Sequence, residues 1–192
     1  MHTRRIAGFL LGAWMMGSVL LAFIENENLF GVDEILKAPP SEAAKTLQAI
    51  GPDQARLLFR FQAAEENRAA SEAWEWTQLA LGAALLLVTF IGTRANRYAM
   101  IFAGGMLVAA IFQRFLVTPE IEWVGRALDF APAGAAAAQR ERLSVVTGAY
   151  WAVEILKFLL GLSLAAYLFI YKTRMRTQLD SDAAHMVRST RR

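Results

Sequence analysis

Apolar residues are concentrated in four blocks separated by polar segments. The blocks cover residues 6–24, 73–92, 98–117 and about 143–171. A helix rises about 1.5 Å per residue, so about 20 apolar residues cross a hydrocarbon core of about 30 Å. The pattern predicts an all-α polytopic membrane protein, with four transmembrane helices in an antiparallel bundle. We expect one domain over residues 1–192, ending in a basic tail at 172–192.

The first block also resembles a secretory signal peptide, because Arg4 and Arg5 precede it. The block is long for the apolar core of such a peptide. No small-x-small cleavage site precedes the polar run that begins at Glu25. We therefore expect the first block to be a retained transmembrane helix.

The segment between the first two blocks is long and polar. Pro39 and Pro40 break the chain, and a short helix is expected from Ser41 to near Gly51. Residues 52–72 are good helix formers with helical apolar spacing. They fit either an amphipathic helix on the membrane surface or an extension of the second transmembrane helix, and the sequence leaves both open. Pro119 is expected to end the third helix.

Basic residues predict the orientation of the helices. Arg4 and Arg5 precede the first block, and Arg94 and Arg97 lie between the second and third. By the positive-inside rule, both termini and this hairpin are cytoplasmic, which predicts a multi-pass protein of the cell inner membrane. Trp74 and Trp76 open the second block and are predicted anchors at the outer interface. The tail adds further basic residues: Lys172, Arg174, Arg176, Arg188, Arg191 and Arg192.

Composition excludes several kinds of chemistry. Hydrophobic residues make up 56% of the chain and charged residues 19%, which suits a membrane protein. There is no cysteine, and the two histidines, His2 and His185, lie near the termini. Thiolate metal sites and a buried bis-histidine haem therefore cannot be built. No phosphate-binding loop or catalytic motif is present. We expect no cofactor, no metal and no nucleic-acid partner.

Polar residues inside the apolar blocks are the candidate functional site. Glu154 and Lys157 interrupt the fourth block, where each charge costs about 2.5–3.5 kcal/mol on insertion scales. Residues three apart share a helical face, so the two can pair. They form either a polar site in the bundle or an ion pair that fixes helix packing. Gln113 and Arg114 end the third block, and Arg114 is expected to approach Glu154 across the bundle.

Other polar residues are predicted to meet where the helices leave the membrane on the outer side. Glu25 on the first helix and Glu72, Glu75 and Gln78 on the second belong to this end. They define either a pocket or an ordinary polar helix end.

Small residues on the first helix predict close helix packing. Gly8 and Gly12 are four residues apart, and Gly17 follows. This spacing allows helices to approach closely. Packing within the same bundle is expected, rather than dimerisation.

The stretch from the third to the fourth helix resembles a known family. Thr118-Pro119-Glu120 follows the third block, Gln113 stands where that family tends to have asparagine, and Arg142-Leu143-Ser144 opens the fourth helix. In these features the chain resembles the four-span family of transmembrane protein 205 and its bacterial relatives of unknown function. Glu141 replaces a histidine that the family often carries. The resemblance implies the four-span fold and membrane location, and brings no established activity.

These observations favour a non-enzymatic integral membrane protein. The leading hypothesis is an accessory or assembly subunit of a larger membrane complex. The alternative is a small transporter or channel that uses the polar site on the fourth helix. Expected partners are the lipid bilayer, anionic lipids at the basic tail and that larger complex.

Overall fold

The computed structural model describes residues 2–39, 41–93, 96–131 and 136–189, and their side chains as far as Phe169 except at positions 2, 29, 41 and 42. Within these ranges the chain is helical and has no strand, which confirms the all-α prediction. The helices are α1 (His2–Lys37), α2 (Ser41–Ile50), α3 (Pro52–Thr93), α4 (Arg97–Phe112), a π-helical segment (Gln113–Val117), α5 (Thr118–Leu128) and α6 (Ala137–Ser189).

Four helical stretches are long and apolar enough to cross a membrane. They are Thr3–Lys37, Pro52–Thr93, Arg97–Leu128 and Ala137–Phe169, and each overlaps one of the predicted apolar blocks. This length and composition fit the predicted multi-pass membrane protein. The first three stretches extend well beyond their apolar blocks, so these helices are longer than the predicted spans.

Helices α1 and α3 lie side by side over most of their length. At one end, Arg4 Nε donates to the carbonyl of Gly92 (3.4 Å), and at the other Asp33 pairs with Arg56 (2.8 Å). The start of α1 therefore meets the end of α3. Helix α4 packs on α3 and α6.

A small core joins α1, α3, α4 and α6. Leu11 and Trp14 from α1, Leu85 from α3, Met106 from α4 and Leu164 from α6 are buried together. Most other large apolar side chains stay exposed, as on a helical protein that faces lipid. Small buried residues on α4 let its neighbours approach closely: Ala99, Ala103, Ala109 and Ala110.

The structure decides between the two possibilities for residues 52–72. They form one continuous helix with the second apolar block, because α3 runs from Pro52 to Thr93 without a break. The short helix expected after Pro40 is present as α2. Gly51 ends it with a φ of +89°, a left-handed conformation that glycine adopts without strain.

Pro119 does not end the third helix, contrary to the prediction. A π-helical segment precedes it, in which the Thr118 N–H donates to the carbonyl of Gln113, five residues earlier. This wider turn changes the hydrogen-bond register immediately before the proline, and the proline then occupies the first turn of α5, where a missing N–H is tolerated. The helix therefore continues to Leu128.

Helix α6 also differs from the predicted fourth span. It begins at Ala137, earlier than the predicted start near residue 143, and remains helical to Ser189. Of the basic residues used for orientation, Arg97 is described, whereas Arg94, Arg191 and Arg192 lie outside the described residues. The side chains of the other basic tail residues lie outside them as well.

Candidate polar site between the helices

Glu154 and Lys157 form an ion pair inside the structure. Their spacing places both on one face of α6, and Lys157 Nζ lies 2.7 Å from Glu154 Oε1. Glu154 is 8% exposed and Lys157 only 2%. At this burial, each charge depends on its partner and on nearby hydrogen bonds for stabilisation.

Two buried amides complete the pair. Lys157 Nζ donates to Gln78 Oε1 (2.6 Å), and Gln113 Nε2 donates to Glu154 Oε1 (3.0 Å). Gln78 lies on α3 and Gln113 begins the π-helical segment, so the pair joins three helical segments. Gln78 was expected among the outer helix ends, and its bond to Lys157 was not foreseen. We name these four residues the ion-pair cluster.

Arg114 does not approach Glu154, contrary to the prediction. Its guanidinium lies 2.7 Å from Glu72 and 3.5 Å from Glu75, both on α3. Consecutive residues of a helix point about 100° apart, so Gln113 and Arg114 cannot both face α6. Gln113 faces α6, and Arg114 faces α3, where it also stacks on the Trp76 ring at 5.2 Å.

Two further carboxylates that were predicted at the outer helix ends hold helices together. Thr118 Oγ1 donates to the buried Glu75, which links α5 to α3. Ser71 Oγ donates to Glu25, and Asn67 Nδ2 donates to the Glu25 carbonyl (2.9 Å), which links α3 to α1. Side-chain bonds therefore continue along α3 beyond the ion-pair cluster.

Arg68 forms the next polar contact along α3. Its guanidinium lies 3.0 Å from Asp129, beyond the end of α5, and also pairs with Glu65. The Arg68 and Arg126 guanidinium groups hold the pKa of Glu65 below its ordinary value. Arg68 is thus engaged by two carboxylates.

The two predicted interface tryptophans have different environments. The Trp74 ring packs directly over Gly17 of α1, and its Nε1 is buried without a hydrogen-bond partner. This packing holds Trp74 against α1, and its role as an interface anchor stays a prediction. Trp76 is 52% exposed and contacts Phe115 edge-on, and its role as an anchor stays a prediction.

The predicted small-residue pair on α1 does not pack within the described bundle. A side chain added at Gly8 or Gly12 would meet nothing within 4 Å. The close approach lies further along α1, at Gly17 against Trp74. On α3, Gly82 contacts Trp14 and Leu107, where an added Cβ would lie 2.9 Å from either side chain.

A cavity of about 340 Å³ lies between α1 and α6, and we name it the α1–α6 cavity. Its wall is largely apolar and includes Glu154 and Trp74. Glu154 Oε2 and Trp74 Nε1 are both buried without a hydrogen-bond partner. Val19, Ile155 and Leu159 line it and are also exposed, so the cavity opens on the lateral surface of the helices.

A second cavity of about 600 Å³ adjoins the first, and we name it the Glu122 chamber. Both are lined by Glu25 and Tyr150. The chamber also has polar residues from α3, α5 and α6 in its wall, among them Arg68 and Glu122. Within the described part of the chain, no group of three or more His, Asp or Glu residues could hold a metal ion.

Comparisons with family models, curated proteins and solved structures find no match for this chain. The resemblance to the transmembrane protein 205 family therefore stays a prediction that rests on the residues quoted for it. Two of these residues take part in the buried contacts, since Gln113 bonds Glu154 and Thr118 bonds Glu75.

Proposed function

We propose that this chain is a four-span protein of the inner membrane that has no catalytic activity and serves as an accessory or assembly subunit of a larger membrane complex. The four helices would form an antiparallel bundle, with both termini on the cytoplasmic side. Four apolar helices and a core that joins α1, α3, α4 and α6 support this arrangement.

The distribution of charge supports the proposed orientation. Arg4 contacts Gly92 at the end of α3, and Arg97 begins α4, a few residues further along the chain. Arg4 and Arg97 thus lie at one end of the helices. The positive-inside rule assigns that end to the cytoplasm, where the tail after α6 would meet anionic lipids.

At the opposite end, the helices project beyond the proposed bilayer. Residues 52–72 of α3 add about 30 Å at 1.5 Å per residue. The end of α1 runs beside them, because Asn28 donates a hydrogen bond to Asn67 (2.7 Å) and Asp33 pairs with Arg56. This part of the protein would stand in water on the outer side and form a helical projection.

Exposed apolar side chains on this projection carry the proposal. Leu58 is 51% exposed and Ile50, at the end of α2, is 38% exposed. A groove of about 650 Å³ between α2 and α3 is lined by Leu47, Ile50 and Leu58. Soluble surfaces rarely expose contiguous apolar patches of this kind unless a partner covers them. Lipid cannot cover them outside the bilayer, so a partner protein is the fitting occupant.

A charge placed in this groove is expected to release the protein from its complex. Leu58→Glu sets a carboxylate against the partner's apolar surface, while Gln54→Glu adds the same charge at an exposed position outside the groove. Blue native electrophoresis of mildly solubilised membranes should show wild type and Gln54→Glu in an assembly larger than the 21.3 kDa chain. Leu58→Glu should migrate as the free protein. Equal migration of all three would contradict the proposal.

A second copy of this chain must be distinguished from a larger partner. Two differently tagged copies expressed together answer this, because self-association alone would recover one tag with the other. Assembly made up only of tagged copies would count against an accessory subunit.

The proposed topology predicts which cysteines can be labelled. The chain has no cysteine, so single replacements report unambiguously. Gln54→Cys, on the projection, should react with a membrane-impermeant maleimide in intact cells. Ser189→Cys should react only after the membrane is permeabilised. The reverse pattern would invert the topology. Labelling of both in intact cells would mean an even number of spans between the two positions and would contradict the three proposed there.

Transport is the alternative function, and one observation favours it. The α1–α6 cavity reaches Glu154, so a charge that is only 8% exposed borders an open space. Its largely apolar wall makes a poor aqueous path, since ion pathways are lined by polar groups. The accessory role therefore accounts better for the structure.

A further inference from the structure

The α1–α6 cavity contains two buried polar atoms that lack partners. Trp74 Nε1 can only donate a hydrogen bond and Glu154 Oε2, in a carboxylate, can only accept one. Buried polar atoms are nearly always hydrogen-bonded, and an orphan costs free energy. The remaining wall is largely apolar, including Leu21, Phe158 and Leu159, with Glu25 at the end nearer the Glu122 chamber. These features suit an occupant that combines a hydrocarbon part with hydrogen-bonding groups.

The two adjoining cavities are apolar at one end and polar at the other, as a single amphiphilic molecule is. Along α6, the apolar cavity extends from Tyr150 to Leu159, while the Glu122 chamber is lined from Thr147 to Trp151. In the proposed orientation, the apolar cavity lies deeper in the membrane and the polar chamber lies toward the outer surface. A lipid of the outer leaflet would insert in the same direction, with its chain in the cavity and its headgroup in the chamber.

The charge of the residues that line the cavities determines which lipid headgroup fits. Glu25, Glu122 and Glu154 line the two cavities, and Glu122 has no ion-pair partner among the described residues. Arg68, a cation in the chamber wall, is already held by Glu65 and Asp129. Lys157 lines neither of the two cavities, and its ammonium is bonded to Gln78 and Glu154. The cavities therefore offer carboxylates without a free cation.

We propose that the α1–α6 cavity and the Glu122 chamber bind one membrane lipid with an ammonium headgroup. An acyl chain fills the cavity, and Trp74 Nε1 offers a donor to a lipid ester carbonyl. The ammonium lies in the chamber with Glu25 and Glu122. This site is independent of the proposed partner-binding groove, because it lies between α1 and α6, away from α2.

Lipid competition tests this proposal. The full-length protein is reconstituted into nanodiscs of equal phosphatidylethanolamine and phosphatidylglycerol, extracted in mild detergent, and its retained lipid is measured by native mass spectrometry. We expect one phosphatidylethanolamine per chain, retained over phosphatidylglycerol by about fivefold to tenfold, as suits one or two favourable charge pairs. Equal retention, a preference for phosphatidylglycerol, or no retained lipid would overturn the proposal.

Two pairs of variants locate the site. Ala22→Phe fills the junction, because Ala22 lines both cavities, whereas Ala152→Phe adds the same ring at an exposed position of α6. The first should lose the lipid and the second should keep it. If both keep it, the lipid binds elsewhere and the proposal fails.

A charge variant keeps the test valid if Ala22→Phe does not fold. Glu25→Gln with Glu122→Gln leaves the shape of the chamber and should abolish the preference for the ammonium lipid. Glu27→Gln with Glu66→Gln removes two exposed carboxylates outside the chamber and should preserve it. Retained preference in the first double variant would overturn the ammonium assignment. Because Leu58 is unchanged, this outcome is separate from failure of the assembly test.

Discussion

Replacing Lys157 with methionine is expected to destabilise the protein by about 3–5 kcal/mol, the usual cost of breaking a buried ion pair. The substitution leaves Glu154 charged, 8% exposed and bonded only to Gln113. It also leaves Gln78 without the donor at its Oε1. Glu154→Gln should cost a comparable amount, because Lys157 then retains only neutral partners. The free energy of unfolding in mixed detergent micelles, titrated with dodecyl sulfate, measures both effects.

The double variant Glu154→Gln/Lys157→Met should be less destabilised than the two single losses added together. Both charges disappear, and the cost of burying them disappears with their attraction. Arg114→Met is the control, since Arg114 pairs with Glu72 and Glu75 and has no contact with Glu154. Its effect should add to that of Glu154→Gln. Additivity within the Glu154 and Lys157 pair would show that the pair does not stabilise the fold.

The same variants separate an accessory subunit from a transporter. If the ion-pair cluster only joins helices, the double variant should retain wild-type migration on native gels. In the transport alternative, Glu154→Gln would abolish proton or potassium flux into proteoliposomes while the protein remains folded. A flux that the wild type shows and this variant lacks would favour transport over the accessory role.

The sequence was sufficient to predict the four apolar helices but not all contacts of the polar site. Four apolar blocks predicted the helices that could span a membrane, and the three-residue spacing allowed the Glu154 and Lys157 pair. The partner across the helices was wrong, because the choice between Gln113 and Arg114 depends on helix rotation. A π-helical segment sets that rotation, and the spacing of apolar residues along the sequence does not show where such a segment lies.

Residues 52–72 show a second limit of sequence reasoning. Their apolar spacing suits a surface helix and a helical extension equally. In the extended helix these residues contact α1: Arg56 pairs with Asp33, and Asn67 accepts a hydrogen bond from Asn28. These bonds join positions far apart in the chain, and a local pattern contains no information about them. The contact of Trp74 with Gly17 was not foreseen for the same reason, because Gly17 lies on another helix.

Substituting Gly17 is expected to disrupt the contact between α1 and α3. A Cβ at this position would fall on the six-membered ring of Trp74, so even Gly17→Ala forces the ring to move. Overpacking of this kind typically costs about 1–3 kcal/mol, and Gly17→Leu should exceed the alanine variant. Unfolding in mixed micelles provides the measurement. Gly12→Ala is the matched control on the same helix, because a Cβ there meets nothing within 4 Å.

The control should be neutral or stabilising, by at most about 1 kcal/mol, since alanine favours a helix over glycine. A second background identifies the clash itself: in Trp74→Leu, which removes the indole ring, Gly17→Ala should lose most of its cost. If Gly17→Ala is as mild as Gly12→Ala in the wild-type background, Trp74 does not pack over Gly17. If its cost persists in the Trp74→Leu background, the strain arises from another neighbour, and the contact between α1 and α3 at this level differs from the one described.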